Sequence, residues 1–248
     1  MAAKASGRLL REPSQPFSGN AAAPPYRYRH SGPVLVCGNA WCLDEDFAAA
    51  RAIRPGAAVI AVNGASARVK ADFLYSYHFM NFRRKGWLAR QAGNFGPGRQ
   101  AGNLGPCRQA GNLGPCRQAG NLGPCRQAGN LGPCRFSVHS TAAKSEAEQA
   151  SRAHSAPWVD YWWREARGQG TSAWCAVKLA RLLGFDEIIL CGVPLAPGPY
   201  ADGRMARDFN RPRILERYRA GIAGDQAWHE GVASMSGWTR DFFGEPRR

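Results

Sequence analysis

Val34-Leu35-Val36-Cys37 and Ile188-Ile189-Leu190-Cys191 each run apolar for four residues and then stop at a glycine, Gly38 or Gly192. A run without polar alternation has no face to offer water, so each is expected to be a buried strand of a parallel sheet that ends in a tight turn. Ala57-Ala58-Val59-Ile60-Ala61-Val62 repeats the pattern and stops at Asn63-Gly64, and 72–77 carries a third run, Phe73-Leu74-Tyr75. Between the first two strands, Asp44-Glu45-Asp46 opens a helix that runs to about Ile53, with acidic residues where the helix dipole favours them. Pro55-Gly56 ends that helix. Strand, helix, strand in this order is a βαβ unit. The expected fold class is α/β: a Rossmann-like, mostly parallel sheet flanked by helices.

The second half continues the alternation. Phe136-Ser137-Val138-His139 reads as another strand, 140–156 as a polar loop, and the aromatic stretch Trp158 to Trp163 as a strand or short turn. Gly170-Thr171-Ser172 precedes a helix over 173–183, whose apolar Val177, Leu179, Ala180, Leu182 and Leu183 suit packing on a sheet. Gly184 closes it, and the strand ending at Gly192 follows. Residues 194–204 are rich in Pro and Gly and read as a loop, 207–220 as a polar helix, and 238–243 as a short terminal helix.

Two stretches fall outside this pattern. Residues 1–31 mix Ser, Pro, Gly, Ala and Arg without periodicity and are expected to be a disordered basic tail, leaving 32–248 as a single Rossmann-like domain. That domain is interrupted at 90–134 by a nine-residue tandem repeat: Arg-Gln-Ala-Gly-Asn-Phe-Gly-Pro-Gly, then four identical copies of Arg-Gln-Ala-Gly-Asn-Leu-Gly-Pro-Cys. Each of these four copies has one Leu against two Gly and a Pro, too little apolar surface for a solenoid, so a flexible insertion is expected. The net charge of +15 is concentrated there: 1–33 contributes +4 and 90–135 contributes +6. Diffuse charge of this kind attracts phosphate and predicts only weak, non-specific nucleic-acid binding.

No apolar run approaches the length of a membrane span, and no apolar segment follows Lys4, Arg8 and Arg11 to make a secretory signal. A cytoplasmic protein with no membrane partner is expected. Four of the eight cysteines are one repeat position counted four times. Cys37, Cys175 and Cys191 fall in apolar segments, where buried, reduced thiols are expected. The repeat cysteines have no Cys-x-x-Cys pair and no His partner, so no metal site is expected.

In parallel α/β sheets, ligands bind beyond the carboxyl ends of the strands. Those ends carry Gly38-Asn39, Asn63-Gly64, His78 and Gly192, while Thr171 and Ser172 sit at a helix N-terminus where hydroxyls and free N–H groups favour an anion. Each is unremarkable alone as a turn or a cap; together they predict a ligand crevice. No Gly-x-Gly-x-x-Gly or Walker pattern occurs. Asp44-x-Asp46 has the spacing of metal-using glycosyltransferases, but its place at a helix start favours the dipole reading. The five histidines assemble no nucleophilic triad.

Val34 to Ala40, Ala61 to Gly64, Asp72 to His78, Gly170 to Ser172 with the helix behind it, Gly184 to Pro194 and Ser234 to Arg240 resemble a group of phage-associated Rossmann-like proteins. The first strand-loop, the Asn after the second strand and the Thr-Ser-helix-strand-Gly block are more distantly similar to bacterial sialyltransferases that use CMP-sialic acid. They are similar also to motility-accessory-factor and hydroxymethylpterin-pyrophosphokinase-like proteins. The resemblance covers roughly 34–89 and 157–243. It implies a nucleotide pocket lined by Gly38, Asn39, Asn63, Gly64, Thr171, Ser172 and Gly192, and a nucleotide sugar such as a CMP-linked donor. The sialyltransferases place a catalytic His in the loop after the last strand; here 195–204 holds none, only Tyr200 and Asp202. His78 or Asp202 is therefore the expected base, with His139 a further candidate. The resulting expectation is a nucleotide- or sugar-nucleotide-binding protein of phage or prophage type, a glycosyltransferase-like transferase. A second reading is a non-catalytic protein that binds a phage particle or protein partner; a third is a basic nucleic-acid-binding accessory protein.

Overall fold

A computed structural model of the chain describes residues 17–18, 30–88, 137–143, 145–156, 159–168 and 170–247. The repeat at 90–134 and the tail, apart from 17–18 and 30–31, lie outside them. The strands are β1 (Phe17–Ser18), β2 (Pro33–Cys37), β3 (Ala58–Val62), β4 (Phe73–Tyr75), β5 (Ser137–Thr141), β6 (Tyr161–Trp163), β7 (Glu187–Cys191) and β8 (Val232–Ser234). The helices are α1 (Leu43–Ile53), α2 (Met80–Arg84), α3 (Glu146–Ser155), α4 (Ser172–Leu183), α5 (Pro212–Ala223) and α6 (Gly237–Phe243).

All the strands share one sheet, ordered β1-β6-β5-β4-β3-β2-β7-β8. From β6 to β8 every pairing is parallel. Among the described strands only β1, inside the stretch read as tail, pairs antiparallel, with Phe17 opposite Trp162. The fold is thus a Rossmann-like α/β sheet, as the apolar runs required. Alternation along each strand divides the core in two. Val34, Val36, Ile60, Val62, Ile188 and Leu190 face α4 and its Trp174, Val177 and Leu183. Leu35, Cys37, Val59, Ala61, Ile189 and Cys191 face the other way, onto Leu43 and Ala50 of α1, and Phe82. No helix among the described residues is long and apolar enough to cross a membrane.

Besides β1 and α2, which the sequence pattern did not mark, three elements depart from it. Residues 146–155, read as loop, form α3. The Ser145 side chain caps its start by accepting from the Glu148 N–H, and Glu148 pairs with Arg152 one turn on. Good helix formers with a cap mark the helix without an apolar stripe, and buried Gln149 ties it down by accepting from the Ala143 N–H (2.8 Å). The polar helix expected over 207–220 begins only at Pro212, because proline holds the residue before it, Arg211, in an extended conformation and suits the first helical turn. β8 is a three-residue strand that carries little apolar pattern and is specified by the open edge of β7, against which Val232 pairs with Ile188.

Candidate functional site

The chain lays down β2 to β6 in one direction, then returns so that β7 pairs on the other side of β2. At such a reversal the loops after the two strands diverge and a crevice opens. A cleft of about 570 Å³ lies there, lined by Gly38, Asn39, Asn63, Gly64, His78, Thr171, Ser172 and Gly192 and walled by α4 and the segment after β7. The fold therefore brings together the residues singled out in the sequence except Asp202 and His139.

The floor is a close backbone crossing. A Cβ on Gly38 would lie 2.5 Å from the Gly192 carbonyl oxygen and 2.7 Å from a Val193 methyl, and one on Gly192 would lie 2.8 Å from the Gly38 oxygen. The Gly192 N–H donates to Asp46 Oδ2 (2.8 Å), and the Ser236 hydroxyl donates to the same oxygen (2.6 Å). Asp46 thus ties the first turn of α1 to the end of β7. Asp44 is engaged with Arg68. The Asp-x-Asp pattern consequently serves two separate internal contacts.

On the β3 side, Asn63 takes a left-handed conformation (φ 52°), which Asn tolerates better than most residues. Its Oδ1 accepts from the Ser76 hydroxyl (2.7 Å), which leaves its amide Nδ2–H₂ as the uncommitted end. Asn39 presents the complement: its Oδ1 is buried without a hydrogen-bond partner. Its amide packs on Gly64, where a Cβ would lie 2.6 Å from Nδ2. Across the cleft, Thr171 Oγ1 accepts from the Trp174 N–H (3.3 Å), and no described residue bonds the Ser172 hydroxyl or the Ser172 and Ala173 N–H groups. A carboxylate or phosphate oxygen is the natural partner for such amides.

The outer wall is a small hairpin. Ala40 pairs antiparallel with Tyr200, and Pro199 with Met205. The Trp41 N–H donates to Pro199 O (3.2 Å), Ala201 N–H to Asn39 O (2.9 Å), and Tyr200 N–H to Arg204 O (2.8 Å). The stretch expected to be an irregular loop is thus bonded strand by strand onto the loop after β2. Behind it, Arg219 donates twice to the Leu195 carbonyl (3.1 and 2.7 Å), which holds Leu195 at φ 46°. Tyr200, Arg204, Asp208 and Tyr218 also line the cleft. Burial raises the Tyr200 phenol, so it stays a hydrogen-bond donor at neutral pH.

The three base candidates separate. His78 lines the cleft and is exposed. Asp202 stands outside the lining and is bound through Oδ2 to Arg204 Nε (2.8 Å) and Nη2 (2.5 Å). That contact lowers its pKa below the usual carboxylate range and makes it a poor proton acceptor. His139 is fully buried in β5, where Trp163 Nε1–H donates to its Nδ1 (2.9 Å) and Ser137 Oγ lies 2.6 Å from its Nε2. Burial pushes it down to about 3, so it is a neutral structural imidazole. The four described cysteines are buried free thiols, and burial pushes Cys42 up to about 12. Sequence reading named Tyr200 only as a loop residue and missed Trp41, Arg204 and Asp208. Trp41 was within reach, being two residues past the Gly38-Asn39 turn; the others come from a segment with no periodicity to place them.

The chain matches no protein-family model and no curated protein. A solved structure, that of the MAf glycosyltransferase from Magnetospirillum magneticum AMB-1, is similar at 17% identity with a TM-score of 0.38. The match covers 85% of this chain and 33% of that one, so the chain spans about a third of its length. At that distance nothing about activity passes from one protein to the other.

Proposed function

We propose that the cleft binds a nucleotide or nucleotide-linked sugar and that the protein is a glycosyltransferase-like transferase. The observation that carries the reading is the convergence at one reversal point of the free N-terminal amides of α4, the buried unpartnered Oδ1 of Asn39 and the uncommitted amide of Asn63. Amides at a helix start suit a phosphate, and an acceptor beside a donor suits the hydroxyls of a ribose or the edge of a base. In the transfer, the acceptor hydroxyl oxygen bonds the anomeric carbon of the sugar while the bond to the nucleotide phosphate oxygen breaks and that oxygen leaves with the electron pair. His78 takes the hydroxyl proton, and the N-terminal amides of α4 hold the departing phosphate.

A nucleotide at about a hundred times its Kd stabilises the fold by about 2.7 kcal/mol, a melting shift of several degrees. The panel comprises CMP, UMP, AMP, GMP, the nucleoside diphosphates and their sugar conjugates. Asn63→Gly is the control, since it removes the amide but keeps the left-handed backbone accessible. A shift that the variant loses supports the reading, and no shift with any of them removes it. A second reading, binding without turnover, is favoured by the position of Asp202, which leaves His78 without a carboxylate from that loop. It predicts a melting shift with no release of nucleotide from any conjugate.

A further inference from the structure

The hairpin over the cleft carries a row of apolar side chains left partly open to solvent. Register places Trp41 opposite Pro199 and Pro199 opposite Met205. Residues directly opposite in an antiparallel ladder share a face and lie about 5 Å apart. Trp41, Pro199 and Met205 are therefore neighbours in one apolar strip, and all three line the cleft. Trp41 is 51% exposed and Met205 66% exposed; among the described residues Phe242 alone is another large apolar side chain left so open. The strip is built rather than loose. The Trp41 backbone is bonded to Pro199, and its indole edge lies against Gly198, where a Cβ finds no room. Asn210 Nδ2 donates to Met205 Sδ (3.2 Å) and to Ala206 O (2.9 Å). No ring of the described residues packs on the indole.

The cleft thus has two chemistries: polar amides and hydroxyls at the strand ends and α4, and a flat apolar strip at the mouth. A nucleotide has the same division, with phosphate and ribose on one side and a flat heteroaromatic ring on the other. We infer that Trp41, flanked by Pro199 and Met205, is the stacking platform for the base. This rests on the nucleotide reading above and adds where the base lies. Every base has a π-face, so stacking at an open mouth tolerates base identity. The cleft then recognises phosphate and ribose tightly and the base loosely.

The test is calorimetric titration of the full chain with CMP, UMP, AMP, GMP, ribose 5-phosphate and lactose, using wild type, Trp41→Ala and Trp41→Phe. The four nucleotides are expected to bind within several-fold of one another, and ribose 5-phosphate roughly 10- to 100-fold more weakly. Trp41→Ala brings the nucleotides down to the level of ribose 5-phosphate without changing the latter, and Trp41→Phe restores most of the difference. If the alanine variant keeps the advantage of nucleotides over ribose 5-phosphate, the platform is overturned while the nucleotide reading stands. The same holds if one base alone is preferred by more than 100-fold, or if the variant loses lactose but not nucleotides. If the wild type binds no nucleotide, the reading itself falls. Circular dichroism of each variant separates loss of stacking from loss of fold.

Discussion

Gly38 and Gly64 are both crowded, but by different things. A methyl at Gly38 meets the Gly192 carbonyl, which is backbone directly after β7 and cannot swing aside, and a buried Val193 methyl. Gly38→Ala is expected to cost about 1–3 kcal/mol in urea unfolding, as overpacking does. The nearest atoms to a methyl at Gly64 are those of the Asn39 amide, the end of a side chain. Gly64→Ala is therefore expected to leave the urea midpoint nearly unchanged and to lower affinity for the ligand by displacing Asn39. Titration of both variants checks the contrast. Asp46 is a third kind of residue, a buried carboxylate that accepts from Gly192 and Ser236. Asp46→Ala strips a buried N–H of its partner and is expected to destabilise by about 1–3 kcal/mol, read by the same unfolding experiment.

At the scale of the element, β5 is unusual: Ser137, His139, Ser140 and Thr141 are all buried polar residues in a parallel strand. Each has a partner. Ser140 Oγ donates to Ser76 O (2.6 Å), and Thr141 Oγ1 lies 2.6 Å from the Tyr75 hydroxyl. His139 accepts at Nδ1 from Trp163, so its proton sits on Nε2 and donates to Ser137. Since burial depresses the imidazole from 6.5 to about 3, the folded state resists a proton that the unfolded chain accepts. The contribution of His139 is complete above pH 6.5 and is lost as pH falls from there towards 3. Unfolding free energy is expected to fall with a slope approaching ~1.4 kcal/mol per pH unit in that window from this group. Urea titrations from pH 7.5 to 4.5 check it, with a shallower slope expected in His139→Gln; equal slopes in both proteins would remove the assignment.

For the whole molecule, the site is a product of strand order. Asn39, Asn63, Thr171 and Gly192 come from four different turns, and the return of β7 beside β2 gathers them. The described residues that line the cleft fall within 38–87 and 168–218, while 90–134 carries five arginines. Two binding behaviours are expected to separate on deleting 90–134. Nucleotide affinity stays within about twofold, as for independent sites. Any binding to single- or double-stranded DNA loses much of its salt dependence, because the released counterions scale with the positive charges engaged. Titrations of the deleted chain at two salt concentrations check both.

Apolar runs that stop at glycine were enough to specify a parallel α/β sheet, because a buried strand and the turn that ends it are local properties of a few residues. The same locality exposed Gly38, Asn39, Asn63, Thr171, Ser172 and Gly192 as strand and helix ends. It did not expose α3, which starts at the Ser145 cap and is tied down by buried Gln149 accepting from the Ala143 N–H, with no apolar stripe to mark it. Nor did it expose the hairpin, whose hydrogen bonds join 39–41 to 199–205 across most of the chain. Which histidine faces the cleft and which is buried was likewise decided only by packing, since His78 and His139 both follow apolar strand residues in the sequence. Backbone propensity acts over a few residues and can be read along the chain, whereas burial depends on which distant element arrives to cover a side chain.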